Sequence, residues 1–357
     1  MFERLAQEQH DTLDGIPEPA ENPFLFGHLD AKAMLAGALR AGKMPHALIF
    51  SGPQGIGKAT LAFHLANLLL KNPDPASVQD IGRPDPTSST FRQVAMGAHP
   101  SVLHLTRPLN ERTKGFKTVV TVDEIRKVNR FLSMTAHDGG WRVVIVDPAD
   151  DMNTNAANAL LKNLEEPPAK TVFVLVVHSI GSLLPTIRSR SQTVRFSALT
   201  DDDLKQALGS FEDMAAEGPE LDALVGRAGG SVRNAILLTQ YGGLEIADAV
   251  DELVGMPALD IAKAHKLADA VSGRDRAVPF GMFNERVLEI LAGAASDAAT
   301  GGQLARANEL SKAWQEARIA ISETETYNLD QKQHALTMIN RLNAVMRPTG
   351  AQSSGRM

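Results

Sequence analysis

The first 200 residues alternate short apolar runs with segments in which apolar side chains recur every three or four positions. The runs at 47–50, 102–105, 118–121, 142–146, 171–177 and 193–196 have the length and composition of strands. Those at 142–146 and 171–177 are nearly continuous in apolar residues, which predicts strands covered on both faces. Between them lie helical patterns. Ile125, Val128, Phe131 and Leu132 share one helix face, with Asp123 placed to cap it. Ala157, Leu160, Leu161 and Leu164 share another, stopped by Pro167-Pro168. Strands alternating with helices predict an α/β domain on a largely parallel sheet.

Beyond Leu199 the strand signal is gone. Asp201–Asp203 opens a helix at Leu204, and later helices are broken at Gly229-Gly230, Gly242-Gly243 and Gly301-Gly302. Leu304, Ala307, Leu310, Trp314, Ala317 and Ile321 keep helical spacing, as do Leu336, Ile339, Leu342 and Met346. A small helical domain followed by a helical bundle is the simplest arrangement. Residues 72–91 carry Pro73, Pro75, Pro84 and Pro86 and read as a long irregular excursion. The expected division is an N-terminal extension at 1–21, the α/β domain at 22–199, helical domains at 200–250 and 251–347, and a disordered tail at 348–357.

Composition narrows the classes. No run approaches the ~18 apolar residues of a membrane span, so no membrane association is expected. The N-terminus lacks the apolar block of a secretory signal. There are no cysteines among the 357 residues, which removes disulfides, thiol catalysis and Cys-ligated zinc and fits a cytoplasmic setting. Residues 1–200 hold 21 Lys/Arg against 19 Asp/Glu, and the remainder 15 against 23. Neither part has the positive excess of a stand-alone nucleic-acid binder.

The chemistry begins where Ala47-Leu48-Ile49-Phe50 runs into Gly52-Pro53-Gln54-Gly55-Ile56-Gly57-Lys58-Ala59-Thr60, followed by Leu61, Leu65, Leu68 and Leu69 at helical spacing. Strand, glycine-rich loop and helix in that order make a P-loop: backbone N–H groups and the helix N-terminus cradle phosphates, and Lys58 reaches the outer ones. A working loop puts Ser or Thr after the lysine to ligate Mg²⁺. Here that residue is Ala59, and Thr60 lies ~100° further round the helix. Asp147, ending the 142–146 run, is placed to hold Mg²⁺ through water, or else caps the next turn. The next position, where a carboxylate base would orient water, is Pro148. Two hydrolytic positions are vacant.

Three longer strings extend the pattern: Asp147-Pro148-Ala149-Asp150-Asp151-Met152-Asn153 with Asn155–Lys162 and Leu164-Glu165-Glu166-Pro167-Pro168; Leu183-Leu184-Pro185-Thr186-Ile187-Arg188-Ser189-Arg190-Ser191; and Gly230-Ser231-Val232-Arg233-Asn234-Ala235. Together they resemble the AAA+ clamp-loader family of bacterial DNA polymerase III, from about Asn22 to Met346, with the delta-prime branch the best match. Ser191 stands where that family usually has cysteine.

The resemblance implies an α/β P-loop AAA+ domain, a small helical lid and a C-terminal helical collar. It implies that Arg190 is an arginine finger for ATP on a neighbouring subunit, with Arg188 structural. Gly52, Gly55, Gly57, Lys58, Thr60, Asp147 and Arg233 would be the nucleotide contacts, Arg233 reaching from the lid. Ser179 would sit at the sensor position after the 171–177 strand, although a hydroxyl there more often caps a turn. The implied partners are the gamma/tau motor subunits and the delta subunit, with the sliding clamp and primer-template DNA met through the complex. Many relatives carry a four-cysteine zinc lobe where this chain has 72–91. His64, His99 and His104 lack ligand spacing, so zinc is not expected.

Three functions remain open at this level. The first is a non-catalytic clamp-loader subunit of the DNA polymerase III holoenzyme acting in trans. The second is an ATP-hydrolysing AAA+ motor, against which Ala59 and Pro148 stand. The third is a switch that binds ATP without hydrolysis, for which Mg²⁺ is undecided.

Overall fold

The computed structural model describes residues 4–71, 77–110, 115–133, 140–211, 218–256, 258–273 and 276–347. The expected tail at 348–357 lies outside them. Five strands, β1 (Ala47–Ser51), β2 (Val102–Leu105), β3 (Arg142–Val146), β4 (Thr171–Val177) and β5 (Gln192–Arg195), form one sheet in the order β2-β3-β4-β1-β5. Every pairing is parallel.

Alternate side chains of these strands feed two separate cores, as the period of two requires. On one face Leu48, Phe50, Val143, Ile145, Val172, Val174 and Val176 pack with α1 (Leu29–Arg40) and α2 (Lys58–Lys71). On the other, Ile49, Val144, Val146, Phe173, Leu175 and Val177 pack with α4 (Val122–Ser133) and α5 (Thr154–Glu165). This is a three-layer α/β arrangement on a parallel sheet, with helical elements following it.

Several local expectations are corrected. Residues 118–121 are not a strand. Val120 is buried and makes a single bridge to Met152: its amide donates to the Asp151 carbonyl at 2.9 Å and its carbonyl accepts from the Asn153 amide at 3.4 Å, both in the loop after β3. Asp123 does not cap α4. The helix starts one residue earlier, and Asp123 sits in its first turn paired with Arg126. Within 72–91, residues 78–88 are irregular as expected, although they bury Val78 and Ile81, and only 89–91 departs from that reading as the start of α3 (Ser89–Ala95), capped by Ser88; residues 72–76 are not described.

Helices flank β5 in the chain. The short α6 (Pro185–Arg188) precedes that strand, and α7 (Asp201–Leu208), α8 (Pro219–Ala228) and α9 (Val232–Gln240) follow it. The helix expected from Leu204 already begins at Asp201, and Thr200 caps it, its hydroxyl accepting from the Asp203 amide. The chain divides into two compact units, Met1–Ala235 and Ile236–Met357.

The second unit contains α10 (Gly243–Gly255), α11 (Ile261–Val271), α12 (Ala277–Thr300), α13 (Leu304–Tyr327) and α14 (Gln331–Met346) around Phe283, Val287, Leu291, Leu310, Met338 and Leu342. Leu304, expected on the apolar face, is the first residue of α13 and is 73% exposed, whereas Ala307 in the same turn packs against that core. No helix among the described residues is long and apolar enough to cross a membrane.

Phe173 is fully buried in the second sheet core. Phe173→Ala is expected to cost about 3–5 kcal/mol. Leu304→Ala should stay within about 0.5 kcal/mol. Guanidinium unfolding of the full chain distinguishes the two.

Candidate functional site

Strands β3, β4 and β1 are neighbours and parallel, so their C-terminal ends deliver Asp147, His178 and Gly52 to one edge of the sheet. The loop from Gly52 then turns into α2, whose first residue is Lys58. Two close approaches shape it. A Cβ at Gly52 would run into the Phe196 carbonyl, and Gly55 has φ +72° with Ser231 and Arg233 against its α-carbon. Only glycine satisfies both the positive φ and the contact at Gly55.

The segment between α8 and α9 is bonded to the same loop. The Val232 amide donates to the Gly55 carbonyl at 3.0 Å, and the Ser231 hydroxyl to that of Gln54 at 2.9 Å. From the other side, His28 donates from Nε2 to the Ile56 carbonyl at 2.6 Å.

Lys58 is almost wholly buried. Its ammonium donates to the carbonyl oxygens of Gly52, at 2.7 Å, and Pro53, and lies 3.3 Å from His178 Nδ1. Burial pulls its pKa down to about 8, against the opposing pull of Asp147 and Asp150. Burial likewise pushes Asp147 up to about 7, reinforced by the Asp11 carboxylate and opposed by Lys58. Asp150 Oδ2 accepts from the amides of His178 and Ser179 at 2.9 and 3.1 Å, tying the loop after β3 to the end of β4.

Ser179 does not cap the next turn through its side chain. Its amide is instead used by Asp150. Ala59 stands on α2 without a hydroxyl, and Thr60 is buried one residue further along. The arrangement has the strand, glycine-rich loop and lysine-led helix of a P-loop and no hydroxyl on the residue after the lysine.

Arg233 arrives beside Gly55, with its amide 3.4 Å from that carbonyl. Its guanidinium is engaged by the N-terminal segment: Nη1 donates to the Asp11 carbonyl at 2.5 Å and lies 3.7 Å from the Asp11 carboxylate. Sequence reasoning missed Asp11, Asp150 and His178 as parts of this cluster. Asp150 was visible only as part of the 147–153 string and His178 only as the neighbour of Ser179 after the 171–177 strand, and nothing local marks Asp11.

Arg190 is elsewhere. It lies between α6 and β5, where Gln192 pairs with Leu48, so it stands at the N-terminal edge of the sheet. Its guanidinium pairs with Glu165 at 2.7 Å and donates to the Thr186 carbonyl at 3.0 Å. Three residues of β1 lie between Leu48 and Gly52, which puts the two about 13 Å apart along the strand. Arg188 is exposed.

The family described as DNA polymerase III, delta subunit, matches residues 27–200. The DNA polymerase III delta-prime subunit of Pseudomonas aeruginosa is 34% identical over 251 residues, covering 69% of this chain and 71% of that protein. The gamma/tau subunit of Mycobacterium tuberculosis is 28% identical across 74% of this chain, and the match spans 45% of that protein. A solved structure of a Thermotoga maritima RuvB variant has 18% identity and a TM-score of 0.42, covering 80% of this chain and 86% of that one.

His64 of α2 anchors the chain that precedes α1, donating from Nε2 to the Asn22 carbonyl at 2.9 Å. Burial lowers its pKa to about 4. The unfolded chain protonates near the ordinary value of about 6.5, so the stability His64 contributes is complete above that pH and is lost as pH falls toward its folded value. His64→Gln is therefore expected to flatten the loss of stability between about pH 7 and about pH 4.5, read from denaturant midpoints at the two pH values.

Proposed function

Because the chain belongs to the delta-prime family of DNA polymerase III subunits, we propose that it serves the clamp loader as a non-catalytic subunit that lends Arg190 to ATP on an adjacent motor subunit. The observation that carries this reading is the polarity of the sheet. Arg190 stands at the edge opposite the chain's own phosphate loop, partly exposed and held by a surface carboxylate. A guanidinium so placed serves a site on another molecule better than its own. There it would neutralise charge building on the transferred phosphoryl oxygens, a contribution worth roughly 10³–10⁵ in rate.

The cis loop supports the same division of labour. Ala59 offers no hydroxyl to Mg²⁺, and Pro148 offers no base to orient water. The chain would gain its role through assembly with gamma/tau and delta subunits, with the helices of 251–347 as the collar that joins them. The sliding clamp and primed DNA would be engaged by the whole complex in the cytoplasm.

Reconstitution with the partner subunits tests this. Arg190→Ala should slow clamp- and DNA-stimulated ATP hydrolysis by at least about tenfold, and Arg190→Lys should not restore it, since a point charge lacks the planar fork. The isolated chain should hydrolyse no ATP. Unchanged hydrolysis in an intact complex, or turnover by the isolated chain, overturns the proposal.

A further inference from the structure

The N-terminal extension, 4–21, is built rather than trailing. Arg4 donates to Glu18 at 2.9 Å and to the Leu13 and Ile16 carbonyls at 2.9 and 3.0 Å. Glu21, itself buried, accepts from the amides of Leu5, Ala6 and Glu18 at 2.6, 2.9 and 2.9 Å. Leu13 is buried, and Ala20 joins the first sheet core. These contacts fold the segment on itself and fix where its middle goes.

The middle goes to the phosphate loop. Asp11 presents its carbonyl and carboxylate to Arg233, the arginine seated against Gly55. The same carboxylate acts through space on Asp147 and His178, the residues at the ends of β3 and β4. The hydrogen bond goes to the Asp11 carbonyl, and the carboxylate at 3.7 Å adds the charge attraction that a phosphate would also offer the guanidinium. The other cation of the site, Lys58, is at the same time satisfied by the Gly52 and Pro53 carbonyls. Each positive group that would meet a nucleotide's phosphates has a protein oxygen as its partner.

We infer that residues 4–21 are an internal ligand of this chain's own P-loop face, with Asp11 in the place of a nucleotide phosphate, so that a nucleoside triphosphate binds only by displacing it. The inference rests on reading 52–58 as a phosphate cradle and is independent of Arg190. The trans-acting role can fail in the assembled complex while this holds in the isolated chain, and the reverse.

The test uses the isolated full-length chain and ATP, by titration calorimetry. A site open only a fraction of the time shows an affinity reduced by that fraction, so Asp11→Ala is expected to bind ATP about tenfold more tightly than the unmodified chain. Lys58→Ala added to Asp11→Ala should abolish the gain. Asp11→Asn, of the same shape, gives the same comparison should the alanine variant fail to fold. Equal affinity in the two chains, or binding by neither, overturns the inference. So does a gain that survives Lys58→Ala, because ATP would then be bound elsewhere.

Discussion

All seven side chains of β4, from Thr171 to Val177, are buried, and a strand in that position needs apolar cover on both faces. That requirement organises the first unit. Helices must lie above and below the sheet, and parallel strands joined through such helices all point the same way. The connections therefore sort by edge. Loops leaving the strands carry Gly52–Lys58, Asp147 and His178 to one edge, while the approach to β5 carries Arg190 to the other. The separation of the phosphate loop from Arg190 follows from sheet direction, not from any choice of side chain.

The sequence revealed whatever depended on local pattern. The continuous apolar runs of β3 and β4 were legible because double-sided burial leaves no polar alternation to confuse with another structure. The strand–glycine loop–helix order from Ala47 to Leu69 was legible because phosphate binding needs those parts adjacent in the chain. The misreadings have equally physical causes. Thr118–Thr121 offers strand-forming residues, but a strand exists only where a neighbour pairs with it, and here just Val120 finds one. What could not be read were contacts between distant segments. Asp11 and Arg233 are 222 residues apart, and Lys58 and His178 are 120 apart. No spacing rule connects them.

The second unit shows how polar groups are accommodated in an otherwise apolar bundle. His334 of α14 lies between the Thr324 hydroxyl of α13, at 2.9 Å, and Asn284 Oδ1 of α12, at 3.0 Å. Burial lowers the pKa of its ring to about 4, so the ring is neutral and one nitrogen donates while the other accepts. These hydrogen bonds can form in only one register of the three helices. Asn343 adds a second constraint by donating to the Leu253 carbonyl at the end of α10. Apolar packing holds these helices together, and the buried polar contacts select which residues face each other.

The resting pair of Arg190 with Glu165 carries a consequence of its own. A long cationic side chain free in water explores many rotamers and attracts any passing anion. Tethered to the last residue of α5, it has already surrendered much of that freedom. Its transfer to another anion is then an exchange of one oxygen partner for another, in which charge neutralisation is conserved and only the difference in hydration must be met. Because the pair is open to solvent, dissolved ions compete for both members. The strength of this resting pair is thus tunable by the ionic strength of its surroundings.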